Sequence, residues 1–368
     1  MNKPKALNAL DLGMIRSLGT FMTNLKTEKQ TLPEDVIRAV IISGTGGRAF
    51  CAGGDVKGIY SARNIDTKKK GISITQDAFF REEYMLDIML AEHTQKIPHI
   101  ALWDGVVMGG GLGISHASSF RIATEKTVMA MPETAIGLIP DVGGSFFLPR
   151  LKLGTEFGAF LALTGTRLQG ADVLHSGVAT DFLPSSFLPK LISTLETELS
   201  QESLPHEAVR SILSHFFEKT KTSIPPLSFS KFDLDAIQYC FATNLRAEEI
   251  FSRCDTIKEG ILSSASSTLR KMCPLSIKLT LEQLRRGQQL PMKDCYSMEL
   301  RIVLRLLEEN DFYEGVRAAL IDKDGKPKWS KKRLEDIDDS LVSSFFAPLD
   351  DEKELIFGEL GKPWKCCI

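Results

Sequence analysis

Short apolar runs rich in β-branched residues alternate with glycine turns through the first half of the chain, and this alternation restricts the folds open to it. "VIRAVIISG" (36 to 44), "IPHIALWDGVVMGGG" (97 to 111) and "FRIATEKTVMAM" (120 to 131) each run into turn residues and then a helical pattern. Strand candidates separated by helices predict an α/β domain. From about residue 186 the period changes: "PKLISTLETEL", "EAVRSILSHFFEK", "RAEEIFSRCDTIKEGILSSASSTLRKM" and "DCYSMELRIVLRLLEE" repeat apolar residues at three and four. The expected organisation is therefore a core over residues 1–185 and a mostly helical region over residues 186–368, with "KTSIPPLSFSKFD" (221 to 233) as the linker inside the latter.

Charge narrows the partners. The 45 basic and 47 acidic residues nearly cancel, and the longest like-charge runs are the short "TKKKG" and "SKKRLE", which read as solvated loops. Neither nucleic acid nor a membrane surface is an expected partner. Seven cysteines (51, 240, 254, 273, 295, 366 and 367) are an odd number without metal-ligand spacing, so reduced thiols in an intracellular compartment and no metal are expected. "MNKPKALNAL" has no signal-peptide core, and the terminal "KCCI" is not a prenylation box.

Two glycine clusters invite a chemical reading. In "SGTGGRAFCAGGDVKGI" (43 to 59), Gly44, Gly46 and Ala49 meet a loose dinucleotide pattern, but the sequence runs on as an extended piece where that site needs a helix. In "VVMGGGLGIS" (106 to 115) a β-branched run feeds three glycines and then a helix start, a turn that exposes backbone N–H groups to an anion or only lets strand and helix pack closely. No G-x-S-x-G nucleophile motif occurs. Cys51 reads as a small buried residue and His116 as a satisfied structural one. "AMPETAIGLIPDVGG" (130 to 144) places Glu133 and Asp141 eight apart in an apolar run. Pro132 suits the first position of a helix, with Glu133 in its first turn, and Asp141 suits an N-cap before "VGGSFFLPRL"; the residues alone leave capping and catalysis both open.

"NKPKALNAL", "GRAFCAGGDVKGI", "GVVMGGGLGIS", "MPETAIGLIPDVGGSFFLPRL" and "LTGTRLQGADVLHSGVAT" follow one another in the order and spacing of the crotonase (enoyl-CoA hydratase/isomerase) superfamily, which the chain resembles from residue 2 to about residue 329. "FFREEYMLD", Asp141 and "DFYEGVRAALIDKDGKPKW" are similar to its 3-hydroxyisobutyryl-CoA hydrolase branch, which acts in valine breakdown. The resemblance implies an α/β fold of ββα turns with two roughly perpendicular sheets, a helical C-terminal region used in homo-oligomer assembly, and an acyl-CoA substrate with no further cofactor. It implies an oxyanion hole from the backbone N–H groups of Ala52 and Gly110, catalytic carboxylates at Glu133 and Asp141, and a substrate-contacting acid at Glu83. Superfamily hydratases carry a second catalytic glutamate where this chain has Gly113, which weighs against a hydratase or isomerase; retention of three acids weighs against a non-catalytic acyl-CoA-binding scaffold. Family members begin some two dozen residues earlier with a β-hairpin, so the resemblance also implies an upstream extension and a mitochondrial presequence.

Overall fold

The computed structural model describes residues 1–27, 37–63, 72–199, 205–349, 354, 355 and 357. Val36 of the first strand candidate, the "TKKKG" run and the terminal "KCCI" lie outside the described residues. Among the described residues, eight short strands form two sheets. The first holds β1 (Val40–Ile42), β3 (His99–Trp103), β5 (Phe120–Ala123) and β8 (Asp181–Phe182), and the second β2 (Ala49–Cys51), β4 (Val106–Met108), β6 (Val128–Ala130) and β7 (Leu168–Gln169). Pairing is parallel throughout except between β6 and β7.

Each successive strand pair puts one member in each sheet, so the chain climbs through the fold in ββα turns. The β3–β4 corner shows how. Gly105 takes φ 112°, and a Cβ there would sit 2.5 Å from the Arg48 carbonyl, so only glycine allows the chain to turn out of one sheet and directly into the other. The early Gly44–Ala49 stretch leads into β2 rather than a helix, which removes the dinucleotide reading.

Between and around the strands lie α1 (Leu12–Thr27), α2 (Val56–Ala62), α3 (Ile74–His93), the single turns α4 (Gly110–Gly113) and α5 (Gly144–Phe147), then α6 (Thr155–Thr164) and α7 (Ala171–His175). The helical half follows as α8 (Leu188–Glu198), α9 (Pro205–Thr220), α10 (Lys231–Cys240), α11 (Ala247–Thr256), α12 (Ala265–Leu269), α13 (Pro274–Gly287), α14 (Met292–Glu308), α15 (Asp311–Val316) and α16 (Asp339–Phe346). The periodic run from 246 to 272 is not one helix: Gly260 at φ 69° breaks it, and the Ile261 N–H donates instead to Asp233 Oδ1.

Helices α8 and α9 cover the outer face of the first sheet, packing Leu191, Leu195, Val209 and Ile212 on Ile100 and Ile122. The main core is continuous across both halves, joining Phe50, Trp103 and Leu161 to Leu279, Tyr296 and Phe312. Helix α14 lies against α3 and α5, and α13 lies against α5 and α6, so the C-terminal helices close over the segment carrying Asp141.

Candidate active site

Helix α3 delivers the first acids. A capping box starts it, with the Ser73 hydroxyl accepting from Gln76 N and the Gln76 side chain accepting from Ser73 N. Its stretch "REEY" divides its labour: Glu82 forms a two-pronged pair with Arg16 (2.8 and 2.9 Å), whereas Glu83 Oε1 has no hydrogen-bond partner. Asp87 follows four residues on, one turn away on the same helix face, and its Oδ1 is equally without a partner. Glu83 is 2% exposed and Asp87 1%.

Strand β4 brings the glycine cluster to these acids. Gly110 has no room for a side chain, because a Cβ there would overlap Glu83 Oε1. On Gly109, at φ 44°, a Cβ would stand 2.9 Å from Glu133 Oε1. Thus the two glutamates flank the turn from either side. The turn itself is only a four-residue helix, too short for a macrodipole, so any anion it holds is held by individual N–H groups.

Glu133 opens a 3₁₀ turn, Glu133–Ile136, with Pro132 at its N-cap rather than at its first position. Oε2 of its carboxylate has no hydrogen-bond partner. Asp141 corrects the sequence expectation more sharply. The N-cap of α5 is Gly143, without a side-chain bond, and only the Asp141 backbone carbonyl serves the turn, accepting from Gly144 N at 2.8 Å. The Asp141 carboxylate points inward and accepts from Tyr84 Oη at 2.6 Å.

The expected Ala52 oxyanion donor needs a second correction. Its N–H donates to the Leu7 carbonyl at 3.0 Å and is not free. Two residues on, Leu10 N donates to Gly53 O (2.9 Å) and Asp55 N to Leu10 O (2.7 Å), the two bonds of a parallel bridge at Gly54. Neighbouring N–H groups of extended backbone face opposite ways, so the Gly54 N–H faces away from this bridge. Gly110 lies there: a Cβ built on it would be 3.3 Å from Gly54 N.

Burial sets the electrostatics. Desolvation, then the charge of Asp141, pushes the Glu133 carboxyl well above its usual range; desolvation with Asp141 and Glu133 does the same to Glu83. Desolvation with Glu83 raises Asp87. Asp141 is raised to about 6, burial being opposed by the Tyr84 hydrogen bond. Four buried acids near one glycine turn, with no cation adjacent among the described residues, share protons rather than ionise together.

Gly113 faces this cluster. A side chain there would meet Asp87 Oδ2 at 2.5 Å and Val142 Cβ at 2.8 Å, so the Asp87 carboxyl fills its space. The sequence did not single out Tyr84, Asp87 or Glu299, although polar residues on the apolar stripes of α3 and α14 were a visible signal. Cys51 is inert, its thiol pushed up to about 12 by burial. His116 stacks on Phe147 and bonds Tyr296 Oη at 3.1 Å, and burial lowers it to about 3. Behind His116 lies a separate cavity of about 740 Å³ lined by residues including Ile88, Arg121, Phe147, Arg150 and Met292; none of the four acids lines it, so it is not where the acids act.

A family model for enoyl-CoA hydratase/isomerase matches residues 1–346. The chain is 43% identical over 349 residues to the 3-hydroxyisobutyryl-CoA hydrolase, mitochondrial, of Gallus gallus, covering 95% of this chain and 86% of the relative. It is 39% identical over 361 residues to the protein of that name from Dictyostelium discoideum, covering 97% and 90%. Among solved structures, a carnitinyl-CoA dehydratase from Mycobacterium thermoresistibile superposes with TM-score 0.81 at 28% identity, over 97% of this chain and 94% of that one. An enoyl-CoA hydratase from Rhodobacter sphaeroides gives 0.77 at 30%, over 97% and 95%. The chain belongs to the enoyl-CoA hydratase/isomerase family, and within it to the group that holds the 3-hydroxyisobutyryl-CoA hydrolases.

Proposed function

We propose that the protein hydrolyses the thioester of 3-hydroxyisobutyryl-CoA, releasing CoA and 3-hydroxyisobutyrate, a reaction of valine breakdown. The observation that carries this reading is the convergence of the Glu133 and Glu83 carboxyls on the Gly109–Gly110 turn, with Asp141 beside them and no acid at Gly113. The thioester carbonyl oxygen sits between the N–H groups of Gly110 and Gly54, which stabilise the negative charge as the carbonyl carbon becomes tetrahedral. Glu133 supplies the attack, by its own carboxylate or by taking a proton from water. Asp141, held by Tyr84, orients the attacking group or the substrate hydroxyl, and Glu83 borders the acyl group. Collapse of the tetrahedral species breaks the C–S bond, and the CoA sulfur leaves as thiolate and is protonated. In the carboxylate route an acyl–Glu133 anhydride forms first, and water then releases the acid.

The chemistry asks for no metal or added cofactor. The relatives are named as mitochondrial, and we propose the same compartment here, with a homo-oligomer as the expected assembly. The deciding experiment follows free thiol release from 3-hydroxyisobutyryl-CoA, with crotonyl-CoA hydration measured beside it. Single turnover in ¹⁸O-water leaves label on the protein when an anhydride is cleaved at the Glu133 carbonyl, and trapping with hydroxylamine detects an anhydride cleaved at the substrate carbonyl, so the two together separate the routes. Folded protein that releases no thiol sinks the reading.

A further inference from the structure

The turn that carries Asp141 is strained and is held from outside. Val142 adopts φ 51° and Gly143 φ 85°, and a β-branched residue in the left-handed region persists only where its surroundings impose it. The restraint comes from Glu299 on α14. Its Oε2 accepts from Gly143 N at 2.8 Å, and its Oε1 accepts from Ser145 N at 2.8 Å and from the Ser145 hydroxyl at 2.5 Å. Gln283 on α13 adds a bond from Nε2 to the Pro140 carbonyl at 2.8 Å, on the other side of Asp141.

Glu299 is 0% exposed, and both its oxygens are engaged with this one turn. A buried carboxyl with no cation beside it among the described residues is an unfavourable way to fill a core, because ionising it carries a desolvation penalty that an apolar residue on the stripe of α14 would not. Its placement is explained by what it holds. With Val142 and Gly143 fixed, the chain reverses so that the Asp141 side chain faces α3 and meets Tyr84 instead of turning outward as a cap.

We infer that Glu299 is a positioning residue for hydrolysis: by gripping the Gly143–Ser145 turn it aims the Asp141 carboxylate at Tyr84 and the Glu83–Glu133 pair. The C-terminal helices thereby complete the active site of their own chain. This inference rests on the catalytic reading of Asp141 and deepens it.

The test compares wild type with Glu299→Gln, Ser145→Ala and Asp141→Asn, alone and combined. Glu299→Gln keeps the shape but turns an amide N–H₂ toward a backbone donor. Its kcat should fall at least about ten-fold while KM for 3-hydroxyisobutyryl-CoA stays within about two-fold. Ser145→Ala, which removes one of three donors and leaves the core intact, should move the same way by less, and stands in if Glu299→Gln does not fold. Combined with Asp141→Asn, Glu299→Gln should cost little more, since it acts through Asp141. The ultraviolet resonance Raman signature of the Tyr84 hydroxyl, isolated by subtracting Tyr84→Phe, should lose its strong-donor character in Glu299→Gln. That readout needs no substrate, so it tests the positioning even if wild type proves inactive on this thioester. Unchanged kcat and Tyr84 signature in both variants would overturn the inference, as would a full further kcat loss in the Asp141→Asn background or a loss that merely tracks the melting temperature.

Discussion

Tyr84 Oη donates to Asp141 Oδ2 at 2.6 Å across 57 positions of sequence, both residues being buried. This bond is the main influence opposing the rise of the Asp141 pKa on burial. Removing it in Tyr84→Phe should therefore raise the Asp141 pKa above about 6. The acid limb of the kcat profile should move to higher pH, with turnover at pH 7 down roughly 3- to 10-fold. A pH–rate series on the two proteins checks this, and superimposable profiles would refute it.

Glu133→Gln and Asp141→Asn should each lower kcat at least ~100-fold with melting temperatures unchanged or raised, because each removes a buried acid that no cation balances. The double variant should be little worse than the poorer single one, as groups acting on one carbonyl are non-additive. Had these residues been caps, the expected result is intact activity and a stability loss of up to ~1 kcal/mol. Turnover measured beside melting temperature for the four proteins distinguishes the cases.

Gly113→Glu should not create a hydratase. The new side chain would have to displace the Asp87 carboxyl and Val142, at an overpacking cost of ~1–3 kcal/mol. Loss of the enoyl absorbance of crotonyl-CoA should remain negligible in wild type and variant alike. Hydration by wild type at a rate comparable to thioester cleavage would overturn the hydrolase reading.

Replacing the Gly54 amide by an ester through semisynthesis deletes one N–H and should lower kcat by ~10²–10³. The same replacement at Ala52 removes only a bond to Leu7 and should weaken folding with little effect on kcat. The reverse ranking would restore Ala52 as the donor.

Stability should fall as pH rises from 6.5 to 8. The Glu299 carboxyl goes from an ordinary 4.5 to about 8 on folding, so between those values the native state holds a proton that the unfolded chain has lost. Native binding in excess lowers unfolding free energy with pH, by up to ~1.4 kcal/mol per unit for one proton. Its stabilising contribution is complete below 4.5 and gone above about 8. Below 6.5 the effect is offset, since His99 and His116, both lowered to about 3, make the unfolded state the better proton binder there. Thermal melts across the range should slope downward above 6.5, and Glu299→Gln should reduce that slope, the remainder coming from Glu83, Asp87 and Glu133, which burial also raises.

The sequence by itself determined the element types, because strand and helix periods are local properties: β-branched runs ended by glycine wrote the strands of an α/β core, three-and-four spacing wrote the C-terminal helices, and the family resemblance supplied the ββα order. It also drew attention to Glu133, Asp141 and the glycine cluster, with capping and catalysis both open, and the family resemblance added Glu83. What those groups face was decided only by the tertiary structure. Asp141 fits an N-cap on local grounds, and only α3 and α14, packed on either side of it, turn its carboxylate to Tyr84 and hold the strained Val142–Gly143 turn with Glu299. Glu82 and Glu83 are indistinguishable as letters, yet Arg16 from α1 engages one and leaves the other at the glycine turn. Likewise the Ala52 N–H is taken by the Leu7 carbonyl and the Asp55 N–H by the Leu10 carbonyl, dozens of residues away, which leaves Gly54 rather than Ala52 as the proposed oxyanion donor. Direction is a property of contacts between distant segments, and no local pattern records it.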